Sequence, residues 1–281
     1  MSDLGSETIE CHGAIELDVP ATLERRPITE RMLRRDLAAI GVEPGTTLVV
    51  HSSLSAIGWV LGGAPAVVRA LAGAVGDAGN LAMPAATPLC ADPATWLEPS
   101  VPEAWIDEMR ENLPLFDVRT TPTTMGAIPE AFRNWPGTRR SEHPLESVCA
   151  RGPRAEEITR DHPMAFSEGP GSPFARLYDL DSRILLLGVG FNRCTALHFA
   201  ESLVAKRRTM TVRFPRLDGV RREWVEVSNV ANDLNTHFPV IGAQYLSAKR
   251  AAEGTVGEAA AVYFRMRDLV DCAREYLEQV L

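Results

Sequence analysis

The chain has 281 residues, 45% of them hydrophobic, and a formal net charge of −8. That length and apolar content fit one large domain or two small ones with a full core. The acidic balance argues against a nucleic-acid or anionic-membrane partner and suits a cationic substrate. The five cysteines, Cys11, Cys90, Cys149, Cys194 and Cys272, are scattered without a Cys-x-x-Cys pair, which speaks against zinc ribbons and redox motifs and for reduced thiols in a cytoplasmic protein. No apolar run reaches membrane-spanning length, and Asp3, Glu7 and Glu10 break the basic-then-apolar pattern of a signal peptide.

Residues 1–27 show weak periodicity and read as an N-terminal extension to a domain over 28–281. Thr29 is placed to cap a helix with Met32, Leu33, Leu37 and Ile40 on its apolar face, ending near Gly41. Gly45 turns the chain into a buried strand, Thr46 to Val50, and the loop His51 to Gly63 follows, with Pro65 as the first residue of the next helix. That helix carries Val67, Val68, Leu71 and Val75 and ends near Gly76. Hydroxyls, small residues and a helix start make 51–63 resemble a phosphate cradle. It is neither a Walker loop nor a Gly-x-Gly-x-x-Gly fingerprint, and an ordinary strand-to-helix turn fits it as well.

Leu81 to Pro84 reads as the next strand, and 87–123 as a long, proline-rich, irregular lid. The lid holds Asp92, Glu98, Glu103, Asp107, Glu108, Glu111 and Asp117 beside Trp96 and Trp105, a set able to bind a polycation by charge and stacking, or simply to face solvent. Within it and beyond, Glu98, Asp107, Asp117 and Asp233 are the candidate contacts for a cationic substrate. Thr123 to Gly126 leads into a short helix through Ala131 and Phe132, which Pro136 and Gly137 end. In the turn Arg139 to Ser147, Pro144 biases His143 to an extended conformation, where it points into a site or braces the turn. A helix is expected around Ala155 to Arg160, then a turn at His162-Pro163 and a loop over 169–173.

Arg183 to Glu201 reads as strand, glycine turn, helix. Ile184 to Val189 is nearly all apolar, as in a strand buried on both faces, and Gly188 and Gly190 punctuate its end. With Thr195 as N-cap, His198 is the third helical residue and shares a face with Glu201. Open α/β sheets place ligands there. The helix N-terminus disfavours imidazolium and Glu201 favours it, a balance that leaves a neutral imidazole near pH 7 able to act as a general base; a core histidine bonded to a carbonyl is the alternative. Thr209 to Phe214 and Glu223 to Val227 read as a hairpin turning near Asp218-Gly219, and the polar stretch Asn229 to His237 can line a site. The last element is an amphipathic helix from Asp268 to Leu281 with Leu269, Val270, Tyr276, Leu277 and Val280 on its buried side.

Taken in order, His51-Ser52-Ser53-Leu54-Ser55-Ala56-Ile57-Gly58, Pro114-Leu115-Phe116-Asp117, Thr121 to Ile128, Arg140-Ser141-Glu142-His143-Pro144, Leu186 to Gly190, Leu197-His198-Phe199-Ala200-Glu201, Val256-Gly257 and Asp268-Leu269-Val270 resemble the aminoglycoside 3-N-acetyltransferase, or antibiotic N-acetyltransferase, family over about 28–281. Each motif is weak alone, and their number and order are specific. The resemblance implies a single α/β domain with a central, largely parallel sheet flanked by helices, an acid-rich insertion and a small β-hairpin region. It implies acetyl-coenzyme A as donor, no metal, and the 3-amino group of a 2-deoxystreptamine antibiotic as acceptor, in a monomer or homodimer. It maps the catalytic histidine onto His198 with Glu201 beside it, and the coenzyme A loop onto Ser52, Ser53, Leu54, Ser55, Ile57 and Gly58, with Thr124, Ser141 and His143 nearby. Thr195 is a candidate donor to the oxyanion.

One departure is that similar sequences usually carry Asn-Thr where this chain has Cys194-Thr195. A thiol at a helix start can have a lowered pKa, so an acetyl-cysteine stands against a structural role for Cys194. A hydrolase is disfavoured because Gly-x-Ser-x-Gly and His-Glu-x-x-His are absent. Arg216-Leu217-Asp218-Gly219-Val220-Arg221 does not complete the pyrophosphate loop of Gcn5-related acetyltransferases. Transfer to a non-antibiotic amine and binding without turnover are the remaining alternatives.

Overall fold

The computed structural model describes residues 26–96, 100–231 and 235–281. Nearly all of the expected extension 1–27, together with Glu98 and Asp233, lies outside them. The domain begins where Ile28 bridges to Val60. Helix α1 (Glu30–Ala39) is capped as expected: Thr29 Oγ1 accepts the Met32 N–H at 3.4 Å. Strand β1 (Thr47–Ser52) runs two residues past the expected end and takes in His51 and Ser52. A one-turn helix, α2 (Leu54–Ile57), then leads to α3 (Gly63–Val75), which starts two residues before Pro65.

Strand β2 (Asn80–Pro84) is followed by the long insertion, which is more regular than its sequence suggests. It contains α4 (Glu103–Asn112), a helix in which no residue is fully buried. Next come α5 (Ala127–Arg133), β3 (Arg139–Arg140), β4 (Val148–Arg151), α6 (Ala155–Thr159) and α7 (Pro173–Asp179). Strand β5 (Arg183–Leu187) precedes α8 (Ala196–Leu203). In the hairpin, β6 (Thr209–Asp218) starts where expected and runs further towards the turn, and β7 (Arg221–Val230) is longer than expected at both ends. Its two-residue turn starts on Gly219 at φ +60°, the conformation that favours glycine there.

Helix α9 (Phe238–Ser247), β8 (Ala251–Val256) and β9 (Ala259–Arg265) complete the chain before α10 (Met266–Val280). The β8–β9 hairpin is alanine-rich and has little intrinsic strand preference, and pairing with β5 supplies what the sequence lacks. Helix α10 starts two residues early. Its buried side uses Met266, Leu269, Val270, Ala273 and Leu277, whereas Tyr276 is half-buried and Val280 is exposed, a correction to the expected face.

The seven-stranded sheet has the order β3-β4-β2-β1-β5-β9-β8. Its centre, β2-β1-β5, is parallel, and antiparallel strands extend it on both sides. The apolar runs of β1 and β5 are explained by helices on both faces. Leu48, Val50, Leu185 and Leu187 pack with α1, α3 and α5, and Val49, Ile184 and Leu186 pack with α6 to α10. Among the described residues no helix is long and apolar enough to cross a membrane. The chain leaves β5 through Gly188, whose φ is +70° and where a Cβ would collide with that of Ala56 on α2. Gly188→Ala combines that strain with overpacking. It is expected to lower stability by about 1–3 kcal/mol in chemical denaturation; an unchanged midpoint would contradict the tight approach of α2 to this turn.

Candidate active site

The site is built on the connection from β5 to α8. After Gly188, a single 3-10 turn over Phe191–Arg193 brings the chain to Cys194 and Thr195. Thr195 occupies the N-cap position but has helical angles (φ −58°, ψ −23°), and its hydroxyl makes no capping bond, a correction to its expected capping role. His198 is the third residue of α8, as the spacing predicts. Its Nδ1 is 2.8 Å from Glu201 Oε2, and both side chains are largely buried, at 14% and 7% exposed. Phe238 meets the ring edge-on with centroids 4.8 Å apart. With the carboxylate accepting the Nδ1 proton, the neutral ring presents its Nε2 lone pair, which has no hydrogen-bond partner among the described residues.

Burial pushes the His198 pKa down, yet the Glu201 hydrogen bond and the charges of Glu168, Glu201 and Glu146 outweigh it, and the net shift is upward. More than the one expected carboxylate sets the proton affinity: Glu201 and Glu168 act first, and Glu146 adds its charge only when ionised. Nothing in the sequence pattern singles out the two added acids. Glu168 lies in a glycine- and proline-rich loop and is buried; Ser167 Oγ donates to it at 2.7 Å, and Asn229 Nδ2 donates to Ser167 Oγ at 2.9 Å. Asn229, in the polar stretch expected to line a site, is thus brought to it from β7. The Glu146 carboxyl is pushed up to about 8 by burial, with repulsion from Glu168 adding to it, so it is mostly protonated at neutral pH.

The turn before Glu146 is rigid for a reason carried by two histidines. His143 Nδ1 accepts the N–H groups of Leu145 (3.1 Å) and Glu146 (2.9 Å), and Nε2–H donates to the Met164 carbonyl (3.2 Å). His162 lies beside it with ring centroids 4.8 Å apart and planes tilted by 35°, accepts from Ser141 Oγ at 2.8 Å, and donates to the Ser167 carbonyl at 2.7 Å. Burial holds both rings below the ordinary histidine range, His162 at about 3. Ser141 Oγ also accepts the Val148 N–H at 2.8 Å. Ser141 and His143 are each 1% exposed with their polar side-chain atoms engaged inside the protein. Their side chains brace the turn that carries Glu146, so only the backbone of these two residues is left to meet coenzyme A.

The remaining candidates separate by exposure. In the 52–58 segment, Ser53 Oγ and Ser55 Oγ are 3.0 Å apart, Leu54 is half-buried, and the Ser52 hydroxyl is buried without a partner among the described residues. The Ile57 side chain is wholly inside the core, so only its backbone can face a ligand, and Gly58 turns at φ +95° against the Glu258 side chain. Thr124 is exposed and its N–H donates to the Ala86 carbonyl at 3.1 Å. On α4, Asp107 is almost fully exposed, 3.5 Å from Arg110. Asp117 closes its own turn by accepting the N–H groups of Arg119 and Thr120. The buried acid of the insertion is Asp92, clamped by Arg110 and Arg213 at 2.9 and 3.1 Å, so β6 anchors the insertion to the hairpin that also delivers Asn229. Cys194 is fully buried and its thiol is pushed up to about 12 by burial, which removes it as an acyl carrier at neutral pH. A cavity of about 780 Å³ lies elsewhere, at the β3 edge, lined by Arg119, Arg139, Arg140 and Arg160 among others. Its guanidinium groups are partly matched by Glu142, Glu156 and Asp161, and His198 does not line it.

Comparison with known proteins places these features in a wider set. The sequence profile described as "Aminoglycoside 3-N-acetyltransferase" matches residues 49–278. The aminoglycoside N(3')-acetyltransferase-like protein YokD of Bacillus subtilis is 36% identical over 252 residues, spanning 89% of this chain and 92% of that protein. Its crystal structure superposes with a TM-score of 0.87 over 91% of this chain and 95% of that one. Aminoglycoside N(3)-acetyltransferase VII of Streptomyces paromomycinus is 34% identical over 94% of this chain and 97% of that protein. A binary structure of AAC-IIIb with CoASH has a TM-score of 0.80 at 28% identity, covering 91% of this chain and 98% of that one.

The displaced Glu146 pKa gives a stability signature. The folded carboxyl keeps its proton to about pH 8, against 4.5 for an ordinary glutamate. Between these values the native state binds more protons than the unfolded chain, so this group's contribution to stability declines as pH rises through that window. Glu146→Gln removes the decline. The stability of the variant relative to wild type is expected to improve steadily from about pH 4.5 to 8 in urea titrations; a pH-independent difference would contradict the assignment.

Proposed function

Because the chain belongs to the aminoglycoside 3-N-acetyltransferase family, we propose that it moves an acetyl group from acetyl-coenzyme A to the 3-amino group of a 2-deoxystreptamine aminoglycoside, with His198 as general base. The observation that carries this reading is the buried His198–Glu201 pair, 2.8 Å apart, at the end of a central strand with Nε2 left for a ligand. An amine substrate is mostly protonated near pH 7 and attacks as the free amine, after one proton has gone to solvent. His198 takes at Nε2 the further proton that the nitrogen sheds as it bonds to the carbonyl carbon, while Glu201 fixes the ring's tautomer and stabilises the imidazolium. The raised proton affinity makes His198 a stronger base than an ordinary histidine when neutral.

Acetyl-coenzyme A supplies an activated thioester. The segment 52–58 fits it: Ser53 and Ser55 offer hydroxyls, and the partnerless Ser52 hydroxyl asks for a hydrogen-bonding ligand. Leu54, the Ile57 backbone, Gly58 and Thr124 complete the proposed contacts. The Thr195 hydroxyl, without a capping bond, is a donor for the developing oxyanion. Glu168 lends the site negative potential of the kind a polyamine needs. Since Asp107 projects into solvent and Asp117 serves its own turn, a smaller amine that needs no acidic lid is the second reading for the acceptor.

Release of free thiol from acetyl-coenzyme A against a panel of aminoglycosides tests the proposal. His198→Ala is expected to lower kcat by about 10²–10⁴, the range for a positioned base, with acetyl-coenzyme A affinity retained. Unchanged turnover would remove His198 as the base, and turnover confined to simple amines would select the second reading.

A further inference from the structure

Five buried side-chain polar atoms have no hydrogen-bond partner among the described residues, and two of them belong to neighbours at the C-terminal end of β1: His51 Nε2 and Ser52 Oγ. Two others are guanidinium nitrogens of Arg207 and Arg213, whose head groups are bonded elsewhere. His51 is 4% exposed, so bulk water does not satisfy its ring. Buried polar groups nearly always have partners, and an exception inside a ligand site marks where a ligand completes the bond.

The strand places the ring. Side chains alternate along β1, so His51 shares a face with Val49, which belongs to the same buried cluster as Ile184, Leu186, Leu197 and Ala200. His51 is paired in register with Leu186 on β5, and continuing the β1–β2 register sets it beside Pro84. Neither side chain offers it a hydrogen bond. The face is the one that α8 covers, and His198 stands in the first turn of α8. The two histidines therefore bound the same end of the sheet from β1 and from the element after β5. Their environments differ in kind. Carboxylates surround His198 and favour its charge, whereas only burial acts on His51, holding it down at about 4. His51 is thus a neutral imidazole throughout the range in which His198 titrates, with one N–H to give. Two titratable groups driven apart in this way divide the work of a site between base and donor.

We propose that His51 is a second catalytic histidine, donating from Nε2 to the carbonyl oxygen of the acetyl thioester. The inference rests on the acetyl-transfer reading. As the amine nitrogen bonds to the carbonyl carbon, the C=O π pair moves onto oxygen, and the His51 N–H stabilises that negative charge without giving up its proton. The oxygen pair then reforms C=O, the C–S bond breaks, and the sulfur leaves with the bonding pair. The ammonium form first gives one proton to solvent; the second proton, which His198 takes from the nitrogen as it bonds to carbon, goes to the thiolate, so the products are an amide and a free thiol.

The test combines infrared difference spectroscopy of isotope-labelled acetyl-coenzyme A, bound without acceptor, with kinetics of His51→Leu and His51→Gln. In wild type the acetyl carbonyl stretch is expected to move to lower frequency on binding. His51→Leu should abolish that shift and lower kcat by about 10²–10³, the loss typical of one oxyanion donor, with acetyl-coenzyme A affinity and the shape of the pH profile retained. His51→Gln, which keeps an N–H near the Nε2 position, should recover part of both. A bound carbonyl with an unshifted stretch in wild type would overturn the proposal even if the leucine variant failed to fold, as would a leucine variant with wild-type shift and turnover. Failure of wild type to bind acetyl-coenzyme A would remove the acetyl-transfer reading and this one together.

Discussion

The arrangement depends on one buried contact, the hydrogen bond between His198 and Glu201 across a single turn of α8. Burying a carboxylate near two others is unfavourable unless a positive charge or hydrogen-bond donors meet it. Glu168 is met by Ser167 and Asn229, Glu201 by His198, and Glu146 by keeping its proton. Three acids and a histidine would be a poor choice for stability alone, and perturbed groups of this kind concentrate where chemistry is done. The helix supplies the spacing, since residues three apart share a face, and β5 supplies the position by ending at Gly188 against α2.

Around that contact the protein commits a second layer of polar groups to rigidity. His143 and His162, adjacent and neutral, tie Ser141, Met164 and Ser167 to the turn that carries Glu146. The β6–β7 hairpin is attached at several points: Asn229 reaches Ser167 beside Glu168, and Arg213 holds Asp92 of the acid-rich insertion. Arg222 adds bonds to the carbonyls of Glu111 and Leu113 at the end of α4. The insertion and the carboxylate cluster are therefore fastened to the same two strands. The hairpin sets where the acidic insertion stands relative to the base.

The sequence is legible where one local pattern decides structure. The apolar runs of β1 and β5, the Thr29 cap and the three-residue spacing of His198 and Glu201 are such cases, and the order of the motifs is enough to identify the family. Long-range effects are not legible. Alanine-rich β8 and β9 form because β5 needs a neighbour, and α4 forms without a buried face. Glu146 and Glu168 converge on His198 from separate loops, a proximity that no spacing encodes. Ser141 and His143 sit within a functional motif yet act by bracing it, because motif membership does not say which way a side chain faces. His51 falls in a strand rather than the following loop, and its missing partner is visible only once its neighbours are in place.

The central claim is that carboxylates, against the opposing effect of burial, raise the proton affinity of His198 and make it the base. Titration of the His198 ring by NMR, in wild type and in Glu201→Gln, tests it most directly. The expected result is a wild-type pKa above the ordinary 6.5 that falls when the Glu201 charge is removed. A wild-type value at or below 6.5, or one indifferent to the substitution, would contradict it.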